Sequence, residues 1–161
     1  MVERVRVLEG EGREGRVRFV LNHLCKPSLT TWPSPSPSLS RWNTALTRLG
    51  RDPAVYMKLS GSFNEFAPAR TPASVPELLD ALQPYVDRVF DAFGSRVLFG
   101  SDWPVCDVGG PVGESANWGL WVRVVEGLVG RRREAGGDVD GEAVWWRAGC
   151  EVYGIEGIGE D

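Results

Sequence analysis

Three short apolar runs divide this chain, and each gives way to polar residues at the same end. Val17-Arg18-Phe19-Val20-Leu21 runs into Asn22-His23, Ala54-Val55-Tyr56-Met57-Lys58-Leu59 into Ser60-Gly61, and Val97-Leu98-Phe99 into Gly100-Ser101-Asp102-Trp103-Pro104. Apolar runs of this length, bounded by turn residues, suit strands buried on both faces. Segments with helical spacing separate them. The order strand, helix, three times over predicts parallel βαβ units with right-handed crossovers, an α/β fold. In such folds ligands bind beyond the carboxyl ends of the strands. His23, Lys58 with Ser60, and Asp102 all stand there.

The helical segments are legible from their spacing. Trp42, Ala45, Leu46 and Leu49 share one face, with Gly50 as a stop. Ser74-Val75-Pro76-Glu77 fits a capping box, in which hydroxyl and carboxylate satisfy first-turn amides reciprocally. Pro84 predicts a kink or restart in the helix that follows. Trp118, Trp121, Val122, Val125 and Leu128 form the strongest apolar stripe, and residues 143–153 read as a last helix before Gly154. Residues 1–8 read as a helix tail before a glycine-rich turn at 10–15. Residues 28–40 read as a Pro/Ser-rich surface loop within a single domain spanning 1–161.

Composition excludes several function classes. The net charge of -4 comes from interspersed acids and bases, and Arg131-Arg132-Arg133, the only basic run, reads as a solvated helix end. No basic face for nucleic acid is expected. Cys25, Cys106 and Cys150 lack any CxxC spacing, which fits a reducing compartment. No apolar run approaches the ~20 residues of a membrane span, and residues 1–16 lack a signal-peptide core. A soluble cytoplasmic protein without a membrane partner is expected.

A histidine and a carboxylate at neighbouring strand ends can hold a divalent metal or move a proton to or from water. Lys58 can orient an anionic or carbonyl group. Each residue also has a plainer role: His23 as a hydrogen-bonded structural residue, Asp102 as a cap of the following turn, Lys58 as a chain reaching to water. His23 and Cys25 offer an N/S metal pair, but two ligands are too few. HExxH, Walker, GxGxxG and GxSxG patterns are absent, and Trp103 stands where a serine-hydrolase elbow after Ser101 needs glycine.

The strings Val20-Leu21-Asn22-His23-Leu24-Cys25-Lys26-Pro27, Val55-Tyr56-Met57-Lys58-Leu59-Ser60-Gly61 and Arg96-Val97-Leu98-Phe99-Gly100-Ser101-Asp102-Trp103-Pro104-Val105 resemble the second half of amidohydrolase-2 family proteins, in particular a lactonase-like branch. The terminal Ala148-Gly149-Cys150-Glu151-Val152-Tyr153-Gly154 is similar to that family's closing helix. The resemblance implies a partial TIM (β/α)8 barrel, with the three runs as its sixth, seventh and eighth strands.

It also implies roles. Asp102 would be the general base on an attacking water, His23 would polarise the scissile carbonyl, and Lys58, Ser60 and Trp103 would contact substrate. His23 and Asp102 would further hold an optional divalent, zinc-like metal. The implied substrate is a small lactone or a carboxylate-bearing molecule.

Departures from the family pattern accompany the match. A complete barrel takes about 250 residues, and the family's first-strand HxH pair would lie upstream. Cys25 replaces the usual glycine, and residues 32–40 resemble an insertion. Three strands leave two edges and an apolar inner face without partners, favouring self-association. Two functions are therefore expected: a hydrolase of lactones or related C-O or C-N bonds, or a truncated, inert chain acting as a binding or assembly partner or reflecting an incomplete gene.

Overall fold

The computed structural model describes residues 1–9, 15–108, 110–113 and 115–156. The three apolar runs form one parallel sheet with the spatial order β1-β2-β3: β1 is Phe19–Leu21, β2 Val55–Leu59 and β3 Val97–Phe99. Register sets Val20 beside Tyr56 and Lys58 beside Leu98. The helices are α1 (Val2–Glu9), α2 (Leu39–Gly50), α3 (Val75–Phe93), α4 (Asn117–Glu134) and α5 (Ala148–Tyr153), the last entered through a π-helical segment, Ala143–Arg147. The glycine-rich turn expected at 10–15 lies, Gly15 apart, outside the described residues.

Successive strand residues point to opposite faces, and here both faces are packed. Val55, Met57, Leu59 and Val97 enter one core with Leu82, Val86 and Phe93 of α3 and Val124 and Leu128 of α4. Tyr56 and Leu98 face the other way, into a second cluster with Ala143, Ala148 and Val152, against which Val20 packs. The inner face expected to lack partners is thus covered by the C-terminal helical segment. Helical spacing at 143–153 shows which residues are apolar; it does not show which surface they meet.

Burial and the neighbouring Glu151 carboxylate push the Tyr56 hydroxyl up to about 12 from an ordinary value near 10. The folded state therefore favours the neutral phenol more than the unfolded chain does. That stabilisation is complete below pH 10 and is lost as pH rises through about 12. Thermal unfolding across this range should show a decline that Tyr56→Phe flattens; parallel pH profiles for the two proteins would contradict it.

Three helical expectations change. Ser74 does cap α3, accepting from the Glu77 amide at 3.4 Å, but its hydroxyl donates to the Glu77 carboxylate at 2.5 Å, so the Glu77 side chain binds that hydroxyl. Pro84 sits inside an uninterrupted α3: it and Asp80, whose carbonyl loses an amide partner, both lie on the exposed side. In α4 the buried face runs through Leu120, Trp121, Val124, Val125, Leu128 and Val129, while Trp118 is half exposed.

The Arg131–Arg133 run is more than a solvated end. Arg131 meets Asp80 at 2.7 Å, and Arg132, mostly covered, meets Asp91 at 2.7 Å and Asp87 at 3.5 Å, fastening α4 to α3. Among the described residues no helix is long and apolar enough to cross a membrane.

Candidate functional site

Beyond β1 the backbone turns sharply. Asn22 is extended, and His23, Leu24, Cys25 and Lys26 then all take positive φ, from 50° to 57°. Such a left-handed turn costs L-residues roughly 1–2 kcal/mol each. Two contacts hold it: Leu24 is fully buried in the core, and its carbonyl accepts the Trp42 indole N–H at 2.8 Å. The turn directs the His23 ring over the end of β2. There Nδ1 lies 2.9 Å from the hydroxyl of Ser60, itself fully buried.

Asp102 arrives from β3 through Gly100-Ser101, again with positive φ, 58°. Its carbonyl accepts the Cys106 amide at 2.8 Å, so the backbone makes the turn and the carboxylate is left to other work. Asp102 Oδ1 stands 3.7 Å from His23 Nε2. That is an ion-pair distance, longer than a direct hydrogen bond. Because Ser60 occupies Nδ1, the ring presents Nε2 to the carboxylate.

Gly61 sits beneath both groups. Its φ is +62°, and a Cβ there would lie 2.3 Å from His23 Nδ1 and 3.0 Å from Asp102 Oδ2. Only glycine suits that backbone and leaves room for the pair.

These side chains open on a cavity of about 530 Å³ at the carboxyl ends of the strands. Asn22, His23, Lys58, Ser60, Asp102 and Trp103 line one side of it, and Trp146, Cys150 and Tyr153 of the C-terminal segment the other. Its size suits a small molecule. Two further cavities, about 260 and 340 Å³, border α2 and α3 and contain no histidine.

A family model described as amidohydrolase matches residues 13–123. The chain belongs to the amidohydrolase family.

This amidohydrolase chain is 37% identical over 110 residues to an L-fucono-1,5-lactonase of Burkholderia ambifaria, covering 68% of this chain and 34% of that protein. It is 31% identical over 117 residues to an L-rhamnono-gamma-lactonase of Scheffersomyces stipitis, covering 70% of this chain and 34% of that protein. Crystal structures of an amidohydrolase from Burkholderia multivorans, one with HEPES bound and one with zinc bound, match with TM-scores of 0.66 and 0.65. Each is 30% identical and covers 85% of this chain and 44% of that one. The chain spans about a third of the length of the lactonases it matches.

In this member of the amidohydrolase family all five residues expected at the site border one cavity. Ser60 turns its hydroxyl to His23 Nδ1, while Trp103, 70% exposed, stands at the mouth. Cys25 packs against the core, and burial pushes its thiol up, away from the thiolate a metal requires. The His23–Asp102 pair offers one nitrogen and one oxygen donor. Catalytic zinc takes three protein ligands, and no group of three or more His, Cys, Asp or Glu occurs among the described residues. The described residues by themselves therefore do not make a zinc set.

Sequence reasoning missed Gly61, Gly100 and the wall from the C-terminal segment. The first two carried a signal, each being a glycine directly beside a predicted site residue or strand end. The third carried none.

Proposed function

We propose that this chain carries the water-activating portion of a lactone-hydrolysing site, built on the last three β/α units of a (β/α)8-type barrel. The observation that supports it is the His23–Asp102 pair, 3.7 Å apart, opening on a cavity at the carboxyl ends of three parallel strands. The lactonase names of the relatives point the same way.

In this reading Asp102 accepts a proton from a water as its oxygen attacks the lactone carbonyl. The negative charge that develops on the carbonyl oxygen is met by the Nε2–H of His23, which Ser60 holds at Nδ1. The tetrahedral intermediate then collapses. The ring C–O bond breaks, the departing oxygen takes up a proton from Asp102, and the new carboxylic acid gives its own proton to solvent as the hydroxy-carboxylate leaves. Lys58 and Asn22 bind oxygens of the substrate, and Trp103 covers its ring.

Acid release from L-fucono-1,5-lactone at constant pH tests the reading. Ring-opening faster than in buffer is the expected result. A rate equal to buffer would sink it and leave the chain as a binding or assembly unit.

A further inference from the structure

The two cavities along the seam of α2 and α3 adjoin one another. The larger, about 340 Å³, lies beside the Pro/Ser-rich loop and is walled by Trp32, Pro33, Pro35 and Pro84. The smaller, about 260 Å³, lies toward the carboxyl ends of both helices, where Gly50 lets them meet: a Cβ there would lie 2.3 Å from the Ala92 carbonyl oxygen. Asn43 and Arg88 border both cavities. The two form one groove, with an apolar half and a polar half. None of its residues borders the cavity that holds His23 and Asp102.

The charges of the groove do not cancel. Asp80 and Asp91 border it, but each is taken by an arginine of α4 at 2.7 Å, Asp80 by Arg131 and Asp91 by Arg132. Arg88 reaches Asp91 only at 3.8 Å, and Arg51 forms no ion pair among the described residues. The Gly50 carbonyl, at the negative end of α2, accepts from the Arg96 guanidinium at 2.7 Å. Arg51 and Arg88 thus border the smaller cavity without a close counter-charge among the described residues.

Between the two halves, Asn43 Oδ1 is buried and has no hydrogen-bond partner among the described residues. Buried acceptors are ordinarily paired, so a donor brought to this boundary would complete it. On α2 the linings of the two cavities are centred about seven residues apart, roughly 10 Å at the helical rise. A ring in one half and an anion in the other therefore need a spacer, and a hydroxyl on that spacer suits Asn43.

We propose that this groove binds a nucleoside monophosphate, with its base against Trp32 and the prolines, its ribose at Asn43 and its phosphate at Arg51 and Arg88. Bases stack on aromatic side chains, and guanidinium groups match phosphate oxygens in geometry and charge. The site is separate from the lactone-hydrolysing one and does not depend on it.

Calorimetric titration of the whole chain with AMP, adenosine and ribose 5-phosphate tests the assignment. AMP should bind about tenfold more tightly than adenosine, the size of one charge-assisted hydrogen bond. It should also bind more tightly than ribose 5-phosphate, which lacks a base to stack. Combining Arg51→Gln with Arg88→Gln should erase the preference for AMP over adenosine; both residues are exposed, so the fold should survive. Arg123→Gln, at an exposed position of α4 outside the groove, removes a charge of the same sign and should keep the preference. Failure of AMP to bind, equal affinity for AMP and either other probe, or a preference that survives the double variant overturns the proposal.

Discussion

Replacing Asp102 with asparagine is expected to slow lactone ring-opening about 10²–10⁴-fold, the usual worth of a positioned general base. Among the described residues the side chain's only ion-pair contact is with His23 at 3.7 Å, and the turn that carries it is closed by its backbone carbonyl. Asparagine keeps that shape. Thermal unfolding should therefore scarcely move, and KM should change little, because the role proposed for the lost group is toward water. Initial rates at constant pH, paired with melting curves, check this. A variant as active as the wild type would place the base elsewhere.

Gly61→Ala should damage stability and activity together. The left-handed backbone alone costs an L-residue about 1–2 kcal/mol. The new Cβ would also lie 2.3 Å from His23 Nδ1, a separation no relaxed contact allows. The ring must then leave Ser60, and the pairing with Asp102 goes with it. Urea unfolding should show the destabilisation, and ring-opening should fall as far as for Asp102→Asn.

Gly119→Ala on α4 is the control, since the nearest atom to its Cβ would be the Arg123 guanidinium at 3.7 Å. It should be neutral or slightly stabilising, glycine being a poor helix former. Equal losses in the two variants would deny Gly61 a special role.

Much of this architecture was readable because strand and helix spacing are local. The runs at 17–21, 54–59 and 97–99 each produced a strand, and their shared direction put His23, Lys58 and Asp102 on one rim. Non-local choices were not readable. Nothing in His23-Leu24-Cys25-Lys26 announces four left-handed residues, because the turn is fixed by Leu24 entering the core and by Trp42, 18 positions away.

The C-terminal segment lies across the inner sheet face for the same kind of reason. Val152 and Ala148 find Tyr56 and Leu98, a pairing no helical period encodes. Arg132 looked like a solvated cation until α3 brought Asp87 and Asp91 beside it. The Ser60 hydroxyl on His23 likewise depends on β1 and β2 lying side by side.

The measurement that reaches the centre of this account is a single turnover of lactone, with protein in excess, in ¹⁸O-labelled water. Mass spectrometry would follow both the released acid and the peptide containing Asp102. If Asp102 acts as a base on water, the first molecules of product carry one ¹⁸O in the new carboxylate, and Asp102 stays unlabelled. Unlabelled first product with ¹⁸O in Asp102 would make the aspartate a nucleophile, and the general-base account would be wrong.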